Sequence, residues 1–91
     1  MKISQHKLEL MEAISNNIQR ERQNKHLSQS KLAALCGVSP SCIKNIENAA
    51  CHINFGVVLF LRICKALSVN PAVLLPMDLL DYSDPQEEPL A

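Results

Sequence analysis

The sequence predicts an all-α fold of five helices, and three observations predict it. Residues 27–48, LSQSKLAALCGVSPSCIKNIEN, read as two short helices joined by a tight turn. Apolar residues elsewhere recur at spacings of three and four rather than in alternation, and only two glycines interrupt 91 residues. Ser4, Ser28, Ser39 and Asn70 each stand where a helix would start.

The first helix is expected to begin after Ser4, with Ile3 and Leu8 as a hydrophobic staple across the cap. Leu8, Met11, Ile14 and Ile18 then mark its apolar side, and Arg20, Arg22 and Lys25 make its later half basic. Residues 1–13 are an N-terminal helical extension, either continuous with this helix or a separate one before it.

Ser28 can cap the second helix by accepting a bond from an orphan backbone N–H of its first turn. Leu32, Ala33 and Cys36 form a short apolar face. Gly37 falls where the helix must end in a left-handed residue, a conformation glycine adopts without a Cβ clash. Val38 can plug the space between the two helices. Ser39 caps the third helix, and Pro40 suits its first position, where the missing N–H costs little.

In the third helix Ile43 and Ile46 point inward. Ser41, Lys44, Asn45 and Asn48 fall at i, i+3, i+4 and i+7 and share the opposite face. Asparagine can pair bidentately with adenine, lysine can reach guanine or a phosphate, and serine adapts to either. A polar stripe by itself is usually a solvated face. Behind a helix–turn–helix it points instead to a helix read into the DNA major groove.

The fourth helix, from Asn54 or Gly56 to Leu67, is apolar on most sides, with only Arg62 and Lys65 charged. Val57, Phe60, Leu61, Cys64 and Leu67 can fill one buried stripe. Val58 and Leu59 fall outside that stripe and imply a second covered face. Asn70 and Pro71 open a fifth helix through Ala72, Val73, Leu74 and Leu75. An apolar segment follows, with Pro76, Met77, Leu79, Leu80 and Tyr82.

These residues resemble the phage repressor and Cro type of helix-turn-helix proteins, the xenobiotic-response-element family. The resemblance rests on Leu27-Ser28-Gln29, Leu32-Ala33, Gly37-Val38-Ser39, Ile43 and Ile46-Glu47-Asn48. Lys65 to Val69 and Leu74-Leu75 fit the family's closing helices. It covers Ile14 to Leu75 and implies a lambda-repressor-like DNA-binding domain over residues 14–75. By the same resemblance, Pro40, Ser41, Lys44 and Asn45 occupy base-contacting positions, Pro40 through shape alone. Ser28, Gln29, Ser39 and Asn48 are expected at the DNA backbone. Arg22 and Glu47 are expected to form a salt bridge tying the first helix to the end of the reading helix. Two departures stand out. Ala49 and Ala50 replace the usual glycine, and the loop through Phe55 lacks the usual basic residues and is about two residues longer. No phosphate contact is therefore carried over beyond Asn48.

Composition sets the remaining expectations. The net charge is zero, yet residues 1–75 hold all nine Lys and Arg against four acids, and residues 76–91 hold the other five acids. A basic body suits phosphate binding. The acidic tail is expected to be mobile and solubilising, with competition against DNA as the less favoured role. Cys36 and Cys64 read as core fillers. Cys42, Cys51 and His52 offer only weak grounds for a redox switch or metal site, so no metal or cofactor is expected. The sequence shows no signal peptide, membrane span, phosphate-cradling loop or nucleophile elbow. A cytoplasmic, non-enzymatic, bacterial or phage-encoded regulator follows. It is expected to stand alone, without a sensing domain.

Its expected partners are double-stranded DNA and a second copy of the chain, through Val58, Leu59, Leu74, Leu75, Met77, Leu79 and Leu80. A toxin or polymerase partner is the alternative, with the protein acting as an antitoxin or adaptor-type interaction module.

Overall fold

A computed structural model describes residues 5–48 and 55–77. Among these the chain forms five helices and no strand: α1 (Gln5–Asn24), α2 (Gln29–Cys36), α3 (Pro40–Glu47), α4 (Val57–Leu67) and α5 (Pro71–Leu74). The N-terminal extension is thus continuous with α1, at least from Gln5. The expected Ser4 cap, the Ile3 staple, the loop at residues 49–54 and the tail from residue 78 lie outside the described residues.

Three of the expected helix starts are built as their residues dictate. Ser28 Oγ accepts from the Lys31 N–H at 3.0 Å, and Ser39 Oγ from the Cys42 N–H at 3.2 Å. Asn70 Oδ1 accepts from the Ala72 N–H at 2.9 Å. Pro40 and Pro71 follow directly, at positions that need no N–H. Gly56 begins α4 in extended backbone with no side-chain cap.

Three helices end the same way, and only one uses glycine. Gly37 (φ 74°), His26 (φ 58°) and Ser68 (φ 57°) are all left-handed. In each case the next residue donates back to a carbonyl five residues earlier: Val38 to Ala33, Leu27 to Arg22 and Val69 to Cys64. This pairing satisfies carbonyls that a helix end leaves orphaned. A Cβ at Gly37 would meet only the Arg62 guanidinium, 4.0 Å away. The cost of Gly37→Ala is therefore conformational, about 1–2 kcal/mol. Ser68→Gly should go the other way, stabilising by a few tenths to ~1 kcal/mol. Urea unfolding of the two variants measures both signs.

The core is a single cluster. Ile18 from α1, Leu32, Ala33 and Cys36 from α2, and Ile43 and Ile46 from α3 meet Ile63, Cys64 and Leu67 from α4 and Leu74 from α5. Val38 packs against it from the turn between α2 and α3, as its position predicts. Burial keeps the Cys36 and Cys64 thiols above their ordinary pKa, with Arg62 opposing the effect at Cys36. Both thiols are filling rather than chemistry.

The orientation of α4 differs from the sequence expectation. Val57 and Leu61 are exposed rather than buried, and Ile63 is fully buried in their place. Phe60, Ile63, Cys64 and Leu67 form the inward stripe, with Leu59 and Ala66 along its edge. Phe60, Cys64 and Leu67 belong to both stripes, so periodicity could not choose between them. Packing chooses, because α4 must contact α2, α1 and α5 together. One residue assigned to a dimer interface, Leu74, is corrected by the structure, and a second, Leu59, is half-buried. Leu74 is 0% exposed within the chain's own core, and Leu59 packs against that core. Val58 and Met77 remain exposed, Leu75 is half-buried, and Leu79 and Leu80 lie outside the described residues.

A further tie was absent from the sequence reading. Asn17 Nδ2 donates to the Leu74 carbonyl at 2.9 Å, and Arg20 Nη1 donates to Asn17 Oδ1 at 2.9 Å. The side chain of α1 thereby closes an open carbonyl at the end of α5, 57 residues away. Polar residues of this kind look like ordinary surface in a sequence. Only the tertiary partner reveals the role.

Candidate DNA-reading surface

The surface is built from the turn outward. Ser39 and Pro40 start α3, and the buried Ile43 and Ile46 fix its inner side against α2. The outer side is then determined. Pro40, Ser41, Lys44, Asn45 and Asn48 are all exposed. An eight-residue helix is about 12 Å long, a match to a major groove about 12 Å wide. Lys44 has no carboxylate partner among the described residues. Its charge is available to a phosphate or to a guanine edge.

A buried ionic cluster holds the far end of α3. Arg22 Nε and Nη2 donate to the two oxygens of the Glu47 carboxylate at 2.6 and 2.9 Å, the planar fork that arginine alone can offer. Arg22 Nη1 donates to the Leu27 carbonyl at 2.7 Å. Gln29 Nε2 also donates to Glu47, at 3.0 Å. No buried side-chain polar atom among the described residues is left without a partner. The cluster joins the end of α1, the start of α2 and the end of α3 through one carboxylate. It fixes how far α3 projects.

Arg22 and Glu47 pair as the sequence suggests. The role of Gln29 is larger than expected. It was assigned to the DNA backbone, and the structure places its half-buried amide on Glu47. One N–H of that amide remains for an outside acceptor. Ser28 and Ser39 are exposed, but each hydroxyl already serves as a helix cap. Among the described residues no group of His, Cys, Asp or Glu could hold a metal ion, and no helix is long and apolar enough to cross a membrane. Cys51 and His52 lie outside them.

A short helix locked at both ends behind a glycine turn, with a polar outer face, defines a helix-turn-helix DNA-binding protein. The comparisons give the family. The chain belongs to the helix-turn-helix family, whose profile matches residues 18–74, and is a DNA-binding transcription regulator of the Cro and phage repressor type. No curated protein matches it by sequence.

Three of the solved structures similar to it illustrate the likeness. The restriction-modification controller protein C.AhdI from Aeromonas hydrophila is 28% identical, with a TM-score of 0.66 over 71% of this chain and 96% of that one. The hypothetical transcription factor NHTF from Neisseria is 24% identical, with a TM-score of 0.69 over 88% and 91%. The clp gene regulator ClgR from C. glutamicum is 23% identical, with a TM-score of 0.64 over 70% and 80%. The last two show the fold alone.

Proposed function

We propose that the protein is a sequence-specific double-stranded-DNA-binding repressor that acts as a homodimer on a palindromic operator in the cytoplasm of a bacterium or phage host. The observation that carries this reading is the exposed Ser41, Lys44 and Asn45 stripe on a helix that Arg22, Glu47 and Gln29 lock in place. Ser41, Lys44 and Asn45 read base edges, with Pro40 shaping the approach. Gln29 and Asn48, with the capping turns of Ser28 and Ser39, meet the backbone. Likeness to a restriction-modification controller protein supports a small regulator. Repression follows from occupying a promoter and blocking polymerase.

The homodimer forms through Val58, Leu75 and Met77. Val58 is 63% exposed and Met77 52%, and Leu75 is half-buried. Two-fold pairing would set two α3 helices about 34 Å apart, one turn of DNA. The same exposed face favours the second reading, an antitoxin or adaptor module whose partner is a toxin or polymerase.

Selection from a random duplex library at near-physiological salt separates them. The regulator returns an inverted repeat with half-sites one helical turn apart. An enriched single half-site with a monomeric sedimentation mass at micromolar concentration removes the dimer. No enriched sequence favours the interaction module.

A further inference from the structure

A groove of about 590 Å³ lies between the end of α2 and α4. Ala34, Leu35 and Ala66 form an apolar floor, and Arg62 and Lys65 stand along its α4 side. Leu35 is 52% exposed there. Neither cation has a carboxylate partner among the described residues. The groove therefore suits an acidic segment carrying an apolar or aromatic side chain.

The chain contains one such segment. Four of its nine acids lie within residues 81–88, around its single tyrosine, in the order Asp81, Tyr82, Asp84, Glu87 and Glu88. We propose that this acidic segment docks in cis into the α2–α4 groove, with Tyr82 on the Ala34–Leu35 floor and Asp81 and Asp84 on Arg62 and Lys65. Charge complementarity favours it, since the body through residue 75 carries an excess of five cations and the segment is purely acidic. The described chain ends at Met77, and the four residues from there to Asp81 span up to about 14 Å when extended. Docking there neutralises Arg62 and Lys65. It leaves Lys44 on α3 free to meet a phosphate or base.

The test uses the full chain with ¹⁵N labelling and two variants. One neutralises the segment (Asp81→Asn, Asp84→Asn, Glu87→Gln, Glu88→Gln), and the other reverses the groove (Arg62→Glu, Lys65→Glu). The proposal expects the first to shift the amide signals of Ala34, Leu35, Lys65 and Ala66 while those of Ile14 and Ile18 stay in place. It expects the second to shift the amides of Tyr82 and Asp84. Raising salt from 50 to 500 mM should reproduce the first pattern in the unaltered chain. Unchanged groove signals in the neutralised chain overturn the proposal. So do shifts confined to Ser41, Lys44 and Asn45, which would put the segment on the reading face. Shifts that fade on dilution also overturn it, because the segment would then come from another copy.

Discussion

Replacing Glu47 with alanine is expected to destabilise the protein by about 3–5 kcal/mol, the cost of leaving a buried charge without its partner. The reason lies in what Glu47 holds. Its carboxylate accepts both arms of Arg22 and the amide of Gln29, and both charged residues are buried. Removing it leaves the guanidinium with only the Leu27 carbonyl among these partners. Against a typical total of about 5–15 kcal/mol, the loss is a large share of the fold. It does not follow that the pair contributes that much net stability, because desolvation of two ions offsets most of their attraction. Arg22→Met with Glu47→Leu should therefore recover most of the stability that Glu47→Ala loses. Urea unfolding of the single and double variants measures the difference. Equal losses in both would mean that the ionic cluster itself stabilises the fold.

The second large effect is expected at Ile43. This residue is fully buried on the inner side of α3, which packs against α2 and α1, so Ile43→Ala removes three carbons from a small core. A loss of about 2–5 kcal/mol is expected from transfer and cavity terms together. Ile43→Val should cost about 0.5–1.5 kcal/mol and keep the protein folded enough to assay. Because Ile43 sets the inner side of α3, the valine variant should retain DNA binding at temperatures where it remains folded. Val58→Ala serves as the contrast, since Val58 is mostly exposed and its change should fall within about 0.5 kcal/mol in the monomer.

The sequence made the helix starts easier to read than the helix ends. Ser28, Ser39 and Asn70 announce a start because their short polar side chains do one job there, and Pro40 and Pro71 reinforce two of them. Gly37 announces an end for the same kind of reason. His26 and Ser68 do the same work in left-handed backbone, yet nothing in their side chains advertises it. The facing of α4 was illegible because it is apolar on most sides. Two stripes share Phe60, Cys64 and Leu67, and the choice between them rests with α1, α2 and α5. Leu74, on α5, serves the chain's own core rather than an interface.

The candidate site was legible in its stripe and in its ion pair. The stripe follows from helical periodicity once Ile43 and Ile46 are inward, and the Arg22–Glu47 pair follows from resemblance. The link from Gln29 to Glu47 was not legible, because it joins residues 18 apart through a turn whose angle no local rule fixes. It makes Gln29 a brace for α3 as well as a candidate DNA contact.

The central claim is that α3 reads base sequence through its outer face. The most direct measurement is the affinity of the unaltered protein and Asn45→Ala for the selected duplex and for a scrambled duplex, at one fixed salt concentration. Asn45 is exposed and takes no part in the core, so the variant should unfold at the same urea midpoint. The account predicts a loss of about 1–3 kcal/mol on the selected duplex and no change on the scrambled one. An equal loss on both duplexes, or no loss on either, would contradict it.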